Sequence, residues 1–194
     1  HYYKRLLFIG VPMGLQYSIT AIGSVVLQTA VNGLGAAPMA AITAGQRISG
    51  FCCCVFDALG ATMATYAGQN SGAREYKRID RGLWAATKIG SIYAVLICIL
   101  LVLFGGEIPK IFIDGKEREV LAMTKQFLIA NSLFFIPLVF VNCWRFTIQG
   151  MGFSGFAMLA RVSEMIARSL VAFIFIPIFG YIAACYASPL AWLF

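Results

Sequence analysis

The chain has 194 residues, 60% of them hydrophobic and 12% charged, with a formal net charge of +7 and a mean hydropathy of +0.83. Soluble domains carry roughly 25% charged residues, so this surface is not built for water, and the chain reads as an all-α integral membrane protein. The single histidine is residue 1, no two of the six cysteines make a C-x-x-C pair, and the basic residues lie beside apolar spans. These features argue against metal or acid–base chemistry, and against nucleic acid as a partner.

Three long stretches, Leu6 to Gln46, Gln126 to Trp144 and Ser169 to Phe194, hold no charged residue. Uncharged apolar stretches of about 18 residues or more predict transmembrane helices, and the chain divides into six spans. The first runs from Leu6 to Val31 and ends at the turn NGLGAAP, Asn32 to Pro38. The second covers Met39 to Ala67, and the polar segment TYAGQNSGAREYKRIDRGLW joins it to the third, Gly82 to Phe104. EIPKIFIDGKEREVLAMTK then predicts a short amphipathic surface helix, with Ile108, Ile111 and Phe112 leaning on the bilayer. The fourth span covers Leu121 to Gln149, GMGFSG makes a turn, and the fifth runs from Phe156 to Ile178. The sixth starts at Tyr181 and has 14 residues. At about 1.5 Å per residue it reaches roughly 21 Å, short of a hydrocarbon core of roughly 30 Å.

Orientation follows from the basic residues. With the N-terminus cytoplasmic, Lys4, Arg5, Arg74, Lys77, Arg78 and Arg81 lie inside, and Arg145 and Arg161 flank an inner connection. Lys110, Lys116, Arg118 and Lys125 fall outside, so the majority is inside.

Polar groups within a bilayer are costly, so each is a functional hypothesis with a structural rival. Asp57 is the carboxylate nearest the centre of a span. It reads as a proton or cation relay, as an anionic contact for a cationic compound, or as a packing hydrogen bond. Gln16, Gln28 and Asn32 fall on span one, and Asn142 and Gln149 on span four. Gln28 and Asn32 share a face and are expected to hydrogen-bond between helices, with cavity lining as the rival. Arg47 is expected to snorkel. Arg161, Glu164 and Arg168 share one helix face at spacings of three and four. With Arg145 they predict an ionic cluster at the cytoplasmic level, either a structural pairing or a gate. Cys52, Cys53 and Cys54 point about 100° apart on a helix and read as small apolar fillers. Gly72, Gly150 and Gly152 are expected to end helices in the left-handed conformation.

GVPMGLQ opening span one, NGLG after it, GQNSGA closing span two and FTIQGMG closing span four hold a recognisable order along the chain. Together with Glu164 and Arg168 in span five and GYIAACYASPLAW opening span six, they make the sequence resemble the multidrug and toxin extrusion (MATE) family. The resemblance is to the C-terminal six-helix lobe, residues 1–194, with the N-terminal lobe of the same protein missing and the last helix cut short. It implies half of a cation-coupled antiporter, driven by H⁺ or Na⁺ and without a cofactor. Such a protein exports amphipathic, often cationic, organic compounds from a cell membrane by alternating access. Membrane lipids, small organic substrates, the coupling cation and the other lobe are the partners implied. Cation-coupled branches place carboxylates where this sequence has Thr20 and Leu138, which puts the family's ion site in doubt for this lobe. A flippase for lipid-linked glycans, an intramembrane enzyme and a non-transporting subunit are the competing classes. The enzyme would need a His, Asp or metal constellation at membrane depth.

Overall fold

A computed structural model describes residues 2–111 and 117–193. Three long helices come first: α1 (Tyr2–Asn32), α2 (Ala36–Gly72) and α3 (Tyr76–Phe104). A single 3₁₀ turn, Ile108–Ile111, precedes α4 (Arg118–Ser132) and α5 (Phe135–Gly150). Then follow α6 (Ser154–Leu170), a wide π turn at Val171–Phe175, α7 (Ile176–Phe179) and α8 (Tyr181–Ala191). Among the described residues, Gly10–Asn32, Ala36–Gly72, Tyr76–Phe104 and Ser154–Phe179 are each long and apolar enough to cross a membrane.

The expected fourth span is the chief departure. It is two helices, α4 and α5, bent by 51° about Leu133 and Phe134. Pro137 lies in the first turn of α5 and has no N–H to give to the preceding carbonyls. Counted together, the pair makes a fifth crossing. The fifth span is continuous in direction but widens into the π turn just before Pro177, which relieves the same missing donor. α8 has 11 residues. Of the expected surface segment, Ile108–Ile111 forms the 3₁₀ turn, with Pro109 buried and Ile111 exposed, and Arg118 to Lys125 belong to α4. Phe112 and Lys116 lie outside the described residues.

Inside a bilayer, apolar surface is no penalty, and helices associate through small residues that let backbones approach. Along α3, Ile89, Ile92, Leu96, Ile99 and Leu103 make an exposed apolar stripe, while Ala86, Gly90 and Ala94 are buried against the bundle. α2 is the central element, packed on α3, α4 and α5. Its crossing with α5 needs two glycines. A Cβ at Gly60 would meet the Phe146 ring, and one at Gly150 would strike the Ala64 carbonyl oxygen. The expectation for Gly150 is thereby corrected: it is required for close approach, not for a left-handed helix end. Gly72 is helical too, and the left-handed residue after α2 is Arg74, at φ 61°. Gly152, at φ 97°, does end its helix as expected.

The remaining helices form a second group. α1 packs along α6, and α8 sits between α4 and α6. One apolar core joins Ile48, Phe56, Met63, Leu128, Phe135 and Val139; another joins Leu27, Val31, Ile42, Val171, Ile176 and Ala184. Leu138 belongs to the first of these cores. α1 and α2 touch little beyond their connection, and this divergence opens the space in which the polar residues meet.

Candidate functional site

Four helices each turn one face to that space. On α1, Met13, Gln16, Tyr17 and Thr20 follow the i, i+3, i+4, i+7 spacing of a single face. Asp57 and Ala61 come from α2, Phe146 and Gln149 from α5, and Arg161 from α6. Together they line a cavity of about 370 Å³.

Asp57 is exposed and lines this cavity. One of its oxygens is held: Asn142 Nδ2 donates to Asp57 Oδ1 at 3.3 Å. Asn142 in turn accepts at Oδ1 from Arg145 Nη2, at 2.7 Å. Asn142 and Arg145 are 4% and 5% exposed, and the Arg145 guanidinium lies 5.0 Å from the centre of the Phe146 ring. A string therefore runs from a buried guanidinium, through an amide, to a carboxylate that opens on the cavity. An ionised carboxylate has room for several donors, so Asp57 keeps acceptor capacity for a visitor.

The second charged group is built on α6. Glu164, 8% exposed, accepts from Arg161 Nη1 at Oε2 (2.8 Å) and from Arg168 Nη2 at Oε1 (2.6 Å). The expected shared face is present. The trio lies against Ile19, Thr20 and Gly23, midway along both Gly10–Asn32 and Ser154–Phe179. Because α6 starts at Ser154, Arg161 is already about 10 Å into the helix at a rise of about 1.5 Å per residue. Arg145 reaches this group only indirectly. It shares a smaller cavity of about 210 Å³ with Glu164 and Trp192, while its side-chain bond goes to Asn142.

Other expected site residues go elsewhere. Gln28 Nε2 donates to Asn32 Oδ1 at 3.1 Å, so this pair bonds along α1 and not to another helix. Neither residue lines the Asp57 cavity. Spacings of four put two groups on one face, where they satisfy each other before any neighbour does. Arg47 is exposed on α2, beside Gly50, Phe51 and Cys54. Gln16 and Gln149 do reach the cavity, both buried. Met13, Tyr17 and Phe146 were not singled out from the sequence. The face shared by Met13, Gln16, Tyr17 and Thr20 was a readable signal for the first two.

Several donors around the site lack partners. Gln16 Nε2, Arg145 Nε, Arg161 Nε and Arg168 Nε are buried and have no hydrogen-bond partner among the described residues.

A sequence profile of the MatE family matches residues 12–174. Over 168 residues the chain is 29% identical to the probable multidrug resistance protein YpnP of Bacillus subtilis strain 168, covering 87% of this chain and 36% of that protein. Its fold superposes with a TM-score of 0.89 on a MOP superfamily transporter from Pyrococcus furiosus. The same score is found for the outward-facing conformation of a multidrug resistance MATE family transporter. Both structures are 21% identical to it, and each match covers 98% of this chain and 42% of that chain. At that identity the likeness is one of fold. The chain thus spans well under half the length of the proteins it matches.

Proposed function

The chain belongs to the MatE family, whose members are multi-pass membrane transporters, and from that premise we propose that residues 1–194 are the C-terminal lobe of a secondary antiporter. In this reading the protein exports amphipathic, often cationic, organic compounds. A second lobe of the same protein closes the cavity, and the two rock about bound cargo. The driving force is a gradient of H⁺ or Na⁺ and no cofactor takes part. Membrane lipids surround the lobe, and nucleic acid has no role.

The observation that carries the reading is the placement of Asp57. Asp57 spends one oxygen on the interhelical bond from Asn142 of α5, while the residue stays exposed and lines the cavity. In its ionised form it attracts a cationic group. When it takes up the coupling ion, its charge is neutralised and the cargo loses its partner, which is the alternation an antiporter requires. Thr20, at a position where other branches carry a carboxylate, also lines the cavity, and among the described residues Asp57 is the one acidic side chain on its wall.

Asp57→Asn keeps shape and hydrogen bonding but cannot ionise. The full-length protein with this change, reconstituted in proteoliposomes, is expected to insert normally and to lose most ion-driven efflux of an amphipathic cationic dye. Full efflux with an unchanged pH and Na⁺ dependence would remove Asp57 from the pathway.

A further inference from the structure

We propose that the outer face of α3 binds one anionic phospholipid, with its phosphate held by Arg81 and Lys88 beside Trp84 and Trp144. An acyl chain of that lipid lies along Ile92, Val95 and Ile99.

The face is a single stripe. Lys77, Arg81, Trp84 and Lys88 follow one another at steps of three and four residues, so they project from one side of the helix. All four are exposed. The stripe continues without charge through Ile92, Val95 and Ile99, which are exposed as well. α3 packs on α2, α4 and α5, and none of its residues lines the Asp57 cavity. Tyr66 of α2 fixes that packing. Its ring fills the space where a Cβ on Gly82 would lie, and its hydroxyl donates to the Arg78 carbonyl at 3.3 Å. The basic stripe is thereby left facing the lipid.

The cations of the stripe have no acid to themselves. Among the described residues the ion pairs are Lys110–Glu107, Arg161–Glu164 and Arg168–Glu164, none of which involves Lys77, Arg81 or Lys88. Asp80, the acid of this helix, is exposed at the edge of the stripe and pairs with none of them.

Depth makes the missing acid costly. Tryptophan gathers where headgroups meet hydrocarbon, and Trp84 meets Trp144 of α5 edge-on, with ring centres 6.3 Å apart. Lys88 lies one helical turn beyond Trp84, about 6 Å deeper, where a lone cation is expensive. Helix side chains slant toward the N-terminus, so Lys88 reaches back past Trp84 toward Arg81. A phosphate between the two supplies the negative charge, and the indole N–H groups are further donors for its oxygens.

Length identifies the occupant. From Lys88 to Ile99 the helix rises about 16 Å, which matches one half, roughly 15 Å, of the hydrocarbon core. A phospholipid covers the whole stripe, whereas a soluble anion or an acidic protein segment leaves its apolar half bare.

The test counts lipids retained by the full-length protein in native mass spectrometry, after titration with palmitoyl-oleoyl phosphatidylglycerol or phosphatidylcholine. These lipids share their chains and differ in headgroup charge. Wild type is expected to bind one phosphatidylglycerol more tightly than phosphatidylcholine. Arg81→Gln and Lys88→Gln should each weaken phosphatidylglycerol roughly fivefold, which converts to about 1 kcal/mol, and leave phosphatidylcholine unchanged. That is the step expected of one basic residue at an anionic surface. Lys4→Gln, on α1 and outside the stripe, should change neither. Equal binding of the two lipids by wild type, no binding of either, or an unchanged preference in both stripe variants would each overturn the proposal. So would an equal loss in Lys4→Gln, because the attraction would then be diffuse. Displacement of phosphatidylglycerol by an equal concentration of glycerol 3-phosphate would mean that the apolar stripe contributes nothing, and would also overturn it. The wild-type comparison decides the matter even where a variant fails to fold. None of these readouts involves transport, so the reading of Asp57 stands or falls separately.

Discussion

Asn142 holds two charged groups at once, donating to Asp57 and accepting from Arg145. Asn142→Leu removes both bonds. It leaves Arg145, 5% exposed and with Nε already unpartnered, without its acceptor. An unsatisfied buried donor costs about 1–3 kcal/mol, and more when charged, so the Leu variant should unfold in detergent at a clearly lower temperature than wild type. Asn142→Asp, which keeps the acceptor, should lose less. Equal melting of all three proteins would mean that the bond contributes nothing. Asp57 and Asn142 could be read from the sequence as polar groups at membrane depth, because each is isolated in apolar surroundings. Whether Asp57 faced a cavity or a neighbouring helix was not legible, since that depends on how far α1 and α2 diverge. Gln28 and Asn32 failed for a related reason. Their spacing gives the shared face but says nothing of what stands opposite it.

At the level of helices, the crossing of α2 and α5 sets the geometry of the string, because Asp57 is on one and Asn142 and Arg145 are on the other. Gly150→Ala would push a methyl group onto the Ala64 backbone. Overpacking of this kind costs about 1–3 kcal/mol. The shift of α5 should also weaken ion-driven efflux, because it draws Asn142 away from Asp57. Gly50→Ala, on α2, has open space around the added methyl group and should be neutral or mildly stabilising, as Ala is favoured over Gly in a helix. Thermal unfolding and efflux of the two variants, side by side, check this; similar behaviour would count against a tight crossing. Hydropathy located these helices well but missed the break at Leu133 and Phe134. Proline was an ambiguous signal: Pro137 and Pro177 accompany a break and a π turn, whereas Pro12 and Pro189 sit inside continuous helices. The missing N–H is the same at all four, and the neighbouring packing decides whether the helix bends.

For the molecule as a whole, the pattern of an apolar exterior and a small polar interior places the working groups on the side where α1 and α2 part. The ionic trio was expected, with Arg145, to cluster at the cytoplasmic level. The fold seats it against Ile19, Thr20 and Gly23 of α1, with Arg161 on the cavity wall. The central claim is that Asp57 exchanges a coupling ion for the amine of the cargo. The most direct measurement is ion release on cargo binding. The full-length protein in weakly buffered nanodiscs is titrated with tryptamine, while a pH indicator and a sodium electrode record what leaves. Wild type should release one kind of ion, H⁺ or Na⁺, in proportion to bound tryptamine, and Asp57→Asn should release none. Binding of tryptamine to wild type without ion release, or the same release from Asp57→Asn, would contradict the account.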